Sequence, residues 1–307
     1  MRFRVGVTDN DWFDFLSKRL PDEVNFWQPG GRVEFRALEP GELFLFKLHS
    51  PLNYIAGGGY FVRHSRIPTS LAWEAFGENN GVDSYDKFLQ KIKSYRGDNR
   101  QEHDPFIGCI LLANPFFFGR DDWIPSPEDW NPNIVQGKNY DTNKSVGARL
   151  WKNIEERLSH VGFAGPAFAG EETAGYGEDC LVRARLGQGT FRILVTDAYG
   201  RRCAVTGERT LPVLEAAHIK PFAETGPNKV ANGLLLRSDL HKLFDHGYLT
   251  ITKDYKIDVS KRIKEEFENG REYYKLHGNS LQVLPSDRRE YPSLEFINWH
   301  NQNIYVP

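Results

Sequence analysis

Three cysteines in 307 residues (Cys109, Cys180 and Cys203), well apart in the chain, give no disulfide framework, and they are too few for a four-cysteine structural zinc. That scarcity suits a reducing compartment, and a bacterial cytoplasm is the expectation. No run of about eighteen apolar residues occurs, so no segment is expected to span a membrane. The first residues, MRFRVGVTDNDWFDFL, carry charge where a secretory signal would have its apolar centre. There is no internal repeat and no long low-complexity tract. A large positive charge is also missing: the net charge is −2, which argues against a uniformly basic nucleic-acid binder. The balance is uneven, however. Residues 1–182 carry 20 Lys and Arg against 26 Asp and Glu, and residues 183–307 carry 19 against 15. The second half is the one suited to phosphate contact.

The most informative stretch lies in that half. Residues 214–249 read LEAAHIKPFAETGPNKVANGLLLRSDLHKLFDHGYL. His218 ends a short apolar run that reads as a strand, where an imidazole titrating near neutrality can face a cleft. A Gly/Pro/Asn loop at 225–228 lets the chain turn back towards Asn232. Residues 234–236 read as a short buried strand, with Ser238 as N-cap of a helix that begins near Asp239. His241 and Asp245 are four apart and share one helical face, a half-site for a divalent metal. A lone strand histidine is commonly a core residue, and a His/Asp pair at this spacing is commonly a surface hydrogen bond. Their joint order carries more weight than either alone. His246, beside Gly247, reads as a C-cap donor.

This segment resembles the HNH (ββα-metal) endonuclease family. The resemblance implies His218 as general base, Asn232 as the brace of the loop that orients it, and His241 as a metal ligand. It implies a divalent ion, Mg²⁺ or Mn²⁺, with Asp245 as the second helix ligand. Many members carry Asp or His just before the base, and here that residue is Ala217. Glu215, two residues back, would then reach the metal instead. Residues 185–207 resemble the lead-in of restriction-type HNH nucleases, with Cys203-x-x-Thr206-Gly207 in place of a zinc knuckle. Cys203 is expected to be a small buried apolar residue. Residues 270–284 read as a hairpin and 292–300 as a closing helix, with Trp299 as a core plug. His277 and His300 receive no role.

A Gly- and Ala-rich, acidic stretch suggests the division 1–164, linker 165–182, and 183–307. The first domain reads as mostly β, with strands at 32–35, 43–48, 60–64, 107–112 and, weakly, 133–135. Helices are expected at 69–75, 84–92 and 148–158, and Phe116–Phe118 as a buried strand end or loop anchor. Residues 43–77 resemble the PUA-like superfamily, which includes the SRA, EVE and ASCH domains. That resemblance implies an open β-barrel with inserted helices and a pocket for a flipped, modified base. Trp27, Tyr54, Tyr60, Phe61 and Trp73 are candidate walls, Lys47, His49, Ser50 and Asn53 candidate readers, and Gly57–Gly59 a point of close approach to the ligand.

The fold class is thus α+β: a PUA-like open barrel followed by a ββα-metal nuclease. Together the resemblances imply a modification-dependent restriction endonuclease. Its partner would be double-stranded DNA carrying modified bases, modified cytosine first among them, and its role the restriction of foreign DNA. One site cuts one strand, so a double-strand break requires a homodimer or two binding events. Two alternatives stand beside this reading. One is an HNH nuclease directed by sequence, structure or RNA. The other is a non-catalytic nucleic-acid-binding protein.

Overall fold

A computed structural model describes residues 1–30, 34–97, 102–160 and 186–307. The linker read at 165–182, Cys180, and Arg32 and Val33 of the expected first strand lie outside the described residues. The chain divides into two compact units, Met1–Gly187 and Gln188–Pro307.

In the first unit the strands are β1 (Arg2–Thr8), β2 (Glu23–Gln28), β3 (Leu43–Leu48), β4 (Tyr54–Pro68), β5 (Phe106–Phe117), β6 (Ile124–Pro125) and β7 (Gly137–Asp141). The helices are α1 (Asn10–Ser17), α2 (Thr69–Phe76), α3 (Tyr85–Arg96) and α4 (Ser145–His160). The strands form one seven-stranded sheet in the order β2-β5-β4-β3-β1-β7, with β6 on β4. Only β1 and β3 run parallel. Among the described residues the two ends of the sheet do not pair, so no closed barrel is formed by them. Register shifts at Gly58/Tyr60 and Phe61/Arg63 interrupt the β4–β5 ladder. Such bulges locally bend a strand and increase its twist, and two of them fall within the 15-residue β4.

Every residue of β3 is buried, and its side chains split by period two. Leu43 and Leu45 enter a core with Phe3, Val5, Ile55 and Phe116. Phe44, Phe46 and Leu48 enter another with Trp12, Phe13 and Leu16 of α1. Leu150, Ile154 and Leu158 of α4, spaced four apart, pack against the first of these. Gly57 explains how closely β5 approaches. A Cβ there would lie 2.2 Å from the Phe116 carbonyl oxygen, so the strand partner fills the space that the sequence suggested for a ligand.

Several boundaries move. Glu34 and Phe35 are not in a strand, and neither are residues 133–135; the edge strand is β7, which follows them. Strands 60–64 and 107–112 are the centres of longer β4 and β5, and α3 runs on to Arg96, capped by Gly97 in the left-handed region. Phe116 and Phe118 are buried at the end of β5 as read.

The second unit contains α5 (Gln188–Ala198), β8 (Leu214–His218), β9 (Gly233–Arg237), α6 (Ser238–Asp245), β10 (Leu249–Ile251), β11 (Ile257–Val259), α7 (Arg262–Phe267), α8 (Arg271–Tyr274) and α9 (Leu294–Asn303). β8 and β9 are antiparallel, from Leu214 opposite Arg237 to His218 opposite Gly233. Leu234, Leu235 and Leu236 are fully buried between α5, α6 and the rest of the core. Each contributes roughly 1.5–3 kcal/mol relative to an exposed position, which anchors the hairpin under the site.

Ser238 is the first residue of α6, and Arg237 holds the cap position without a side-chain cap. Asp239 places a negative charge in the first turn, which favours the helix start, and its carboxylate is held by two bonds from Arg237, both 2.7 Å. The hairpin expected at 270–284 is instead α8 followed by turns; the regular hairpin is β10–β11, upstream. The closing helix is α9. Trp299 is only half buried, with the Lys220 ammonium 5.6 Å from its ring centre, so it is not a core plug. The core histidine of this helix is His300, stacked on Phe244 at 3.8 Å and bonded to Thr250 Oγ1 at 2.8 Å. Cys203 is fully buried.

Candidate active site

The strand β8, its returning partner β9 and the helix α6 bring the sequence-proposed residues of the second unit to one place. His218 ends β8 opposite Gly233. Its ring lies on Phe191 of α5, with 3.8 Å between centroids and 13° between planes. Gly233 permits this: a Cβ there would stand 2.5 Å from Val195 Cγ2 and 3.0 Å from Phe191 Cζ. The far edge of the imidazole, Nε2, lies 2.8 Å from Asn228 Oδ1. Burial lowers the pKa of His218 below the ordinary histidine value; the Asn228 bond opposes this, and His241 nearby reinforces it. A neutral imidazole at neutral pH is the state a proton acceptor needs.

Asn232 is fully buried, and its side-chain hydrogen bonds go to the loop backbone. Its Oδ1 accepts from the Lys220 amide (2.9 Å), and its Nδ2 donates to the carbonyls of Lys220 (2.9 Å) and Pro227 (3.0 Å). It thereby closes the 219–231 excursion onto itself, satisfying backbone groups that a buried loop would leave unpaired. Its neighbour Asn228 is the residue that reaches the imidazole.

Glu215, His241 and Asp245 converge across β8 and α6. Glu215 Oε2 lies 2.7 Å from His241 Nδ1, and Asp245 Oδ2 lies 3.2 Å from His241 Nε2. Partial burial pushes the Asp245 carboxyl up, while His241 and His246 pull it down. The donor types, two carboxylates and an imidazole, suit a hard or borderline divalent ion. Both ring nitrogens of His241 face carboxylates, so the three side chains form one contiguous group. Among the described residues no cluster of three or more His, Cys, Asp or Glu is spaced as a metal cage. Admitting a cation between them replaces one of those pairings. Ala217 is fully buried with the apolar core, and Glu215, two residues back on the same strand face, is the strand carboxylate of this group. His246 caps α6, its Nδ1 2.7 Å from the Lys242 carbonyl. His277 stands apart, against Asp258 and the Val259 amide.

Two contributors were not read from the sequence. Phe191 is one hydrophobic residue of an amphipathic helix, and nothing local marks it as the shelf for an imidazole 27 residues on. Asn228 looked like turn composition, since asparagine favours turns for its own backbone bonds.

In the first unit, a cavity of about 530 Å³ opens beside β1, β2 and α1. Its aromatic lining is Trp12, Phe26, Trp27, Phe35 and Tyr95, and its polar groups include Arg4, Asp9 and His49. Asp9 accepts from the Trp12 amide, Lys91 and Tyr95; these bonds hold its carboxyl below the usual value against the opposing effect of burial. Of the sequence-proposed walls only Trp27 lines this cavity, and of the readers only His49. Tyr60 and Phe61 are buried core residues, and Trp73 packs on Tyr85 and Phe88. Ser50 precedes a cis proline, Pro51. Lys47, Asn53 and Tyr54 lie together elsewhere. The buried Lys47 ammonium donates to Asn53 Oδ1 at 2.7 Å and stands 5.3 Å from the Trp130 ring centre, and Tyr54 packs on Trp123. Burial lowers the pKa of Lys47.

Residues 203–252 match the HNH endonuclease family. This segment, which holds Glu215, His218, Asn232, His241 and Asp245, is an HNH endonuclease domain, and the chain carries a nuclease. HNH nucleases in general use a divalent metal. None of the curated proteins matches the chain. Among solved structures, it is similar to ASCH from Zymomonas mobilis, at 10% identity and a TM-score of 0.33, over 49% of this chain and 94% of that one. It is also similar to the modification-dependent TagI restriction endonuclease, at 16% identity and a TM-score of 0.29, over 93% of this chain and 77% of that one. No helix among the described residues is long and apolar enough to cross a membrane.

Proposed function

We propose that this chain is a DNA endonuclease that recognises a modified base, a modified cytosine, through its first unit and hydrolyses a phosphodiester bond at the His218 site. The observation that carries the catalytic half is the convergence of a neutral, stacked His218 with the Glu215–His241–Asp245 group on one ββα frame.

His218 takes a proton from water as the water oxygen bonds to phosphorus. The bond from phosphorus to the leaving sugar oxygen breaks, and that oxygen takes up a proton to end as a hydroxyl. Glu215, His241 and Asp245 are the residues that would hold the divalent ion, Mg²⁺ or Mn²⁺. That ion, when bound, supplies charge stabilisation at the phosphate and the leaving oxygen. Asn232 keeps the 219–231 loop in the shape that presents Asn228 to the base.

For recognition, the cavity around Trp27 offers aromatic faces for stacking, with Arg4, Gln28 and His49 at hydrogen-bonding positions. A base enters such a space only after leaving the DNA stack, which costs a few kcal/mol and is offset by stacking and edge hydrogen bonds. The similarity to a modification-dependent restriction endonuclease prompts the choice of a modified base as the substrate to test. The test of the catalytic half pairs wild type with His218→Ala. Loss of cleavage with DNA binding intact supports the reading, and cleavage at the wild-type rate removes His218 as base.

A further inference from the structure

We infer that Asn228 is a positioning residue that, together with the Phe191 ring, holds His218 as the Nε2–H tautomer and leaves Nδ1 as the proton acceptor. The inference rests on the reading of His218 as the general base.

A neutral imidazole has one N–H and one lone pair, and the partner of one nitrogen dictates the role of the other. Asn228 presents its carbonyl oxygen, Oδ1, to His218 Nε2 at 2.8 Å. A carbonyl oxygen only accepts, so Nε2 carries the proton and the lone pair resides on Nδ1. The Phe191 stack, 13° from parallel at 3.8 Å, fixes the plane of the ring while leaving its edges free. Asn228 is itself buried, at 8% exposure, so its amide is held by the protein rather than by solvent.

The loop brace completes the relay. Asn232 Nδ2 holds the carbonyl of Pro227, the residue just before Asn228, at 3.0 Å. Asn232 therefore acts on the base at one remove, through the position of Asn228. Two titratable groups act on the imidazole, His241 and Asp245. They lie on α6 and bear on its charge, whereas the tautomer is decided by Asn228.

The test uses the full chain labelled with ¹⁵N-histidine. The His218 signals are identified by their loss in His218→Ala. The expected result is a protonated Nε2 and a bare Nδ1 at neutral pH. Asn228→Ala should mix the tautomers and lower kcat by about tenfold or more, a fraction of what a general base supplies, with KM nearly unchanged. Asn228→Asp, still an acceptor at this position, should keep the Nε2–H form and move the acid limb of the kcat profile upward. An Nδ1–H tautomer in the wild type overturns the inference. So does Asn228→Ala with tautomer and kcat unaltered. If Asn228→Ala fails to fold, the wild-type tautomer and the Asn228→Asp profile decide. Wild-type cutting by His218→Ala would instead defeat the underlying reading of the base, a result separable from the tautomer itself.

Discussion

His218 and His300 are two histidines stacked on phenylalanines at the same 3.8 Å spacing, with different surroundings. His300 is 2% exposed, and burial takes its pKa from 6.5 to about 4. A folded-state value below the unfolded one means that the unfolded chain binds the proton first as pH falls. Stability contributed by neutral His300 is complete above pH 6.5 and drains away between 6.5 and 4, by up to about 3 kcal/mol. His300→Gln should flatten that part of the stability–pH curve measured by denaturant unfolding; an unchanged curve would place the acid sensitivity elsewhere. His218 is shifted the same way, so as the proposed base it stays deprotonated below the ordinary value. The acid limb of kcat/KM should therefore lie below pH 6.5, and a limb above it would contradict the buried, neutral imidazole. Glu215→Gln and Asp245→Asn should each weaken Mn²⁺ binding by about tenfold or more, read by calorimetry on the full chain. Unchanged affinity in both would move the metal away from this group.

At the scale of elements, β8, β9 and α6 were legible because three different signals agreed: an apolar run ending in histidine, an Asn/Gly/Pro turn, and a helical i,i+4 pair. Ala217 was legible only as a departure. The residue there is small and buried, and Glu215, two residues back on the same strand face, is the carboxylate beside His241. Asn228 was not legible, because its contact depends on how Asn232 folds the loop, a tertiary fact. Ser238 was misplaced by one residue: it is the first residue of the helix, and the Asp239 carboxylate favours the helix start by its charge. Gly233 tests the frame. Gly233→Ala drives a methyl into Val195 and Phe191, and overpacking of this kind costs about 1–3 kcal/mol. Its expected result is a lower unfolding midpoint and a reduced kcat, because the shelf under His218 shifts. Full stability with full activity would show that the Phe191 stack is dispensable.

For the whole molecule, the α+β class and a β-rich first part followed by a ββα nuclease were readable from strand periodicity and motif order. The cavity proposed for the base was not. Aromatics in a sheet packed on both faces look alike in sequence whether they fill a core, as Tyr60 does, or line a cavity, as Trp27 does. Only the fold separates them: alternation along β3 sends Phe44 and Phe46 to one core and Leu43 and Leu45 to another, and the cavity opens beyond the first of these. The charge asymmetry fits the proposed division of labour, with phosphate chemistry assigned to the basic half and recognition, through a local site, to the acidic half.

The measurement that bears most directly on this account is cleavage of matched DNAs that differ only in cytosine, plain, 5-methyl or 5-hydroxymethyl, with Mg²⁺ or Mn²⁺, by wild type and His218→Ala. The account predicts that wild type cuts a modified DNA and spares the plain one, and that His218→Ala cuts neither. Equal, His218-dependent cutting of all three would contradict recognition of a modified cytosine while leaving the nuclease in place.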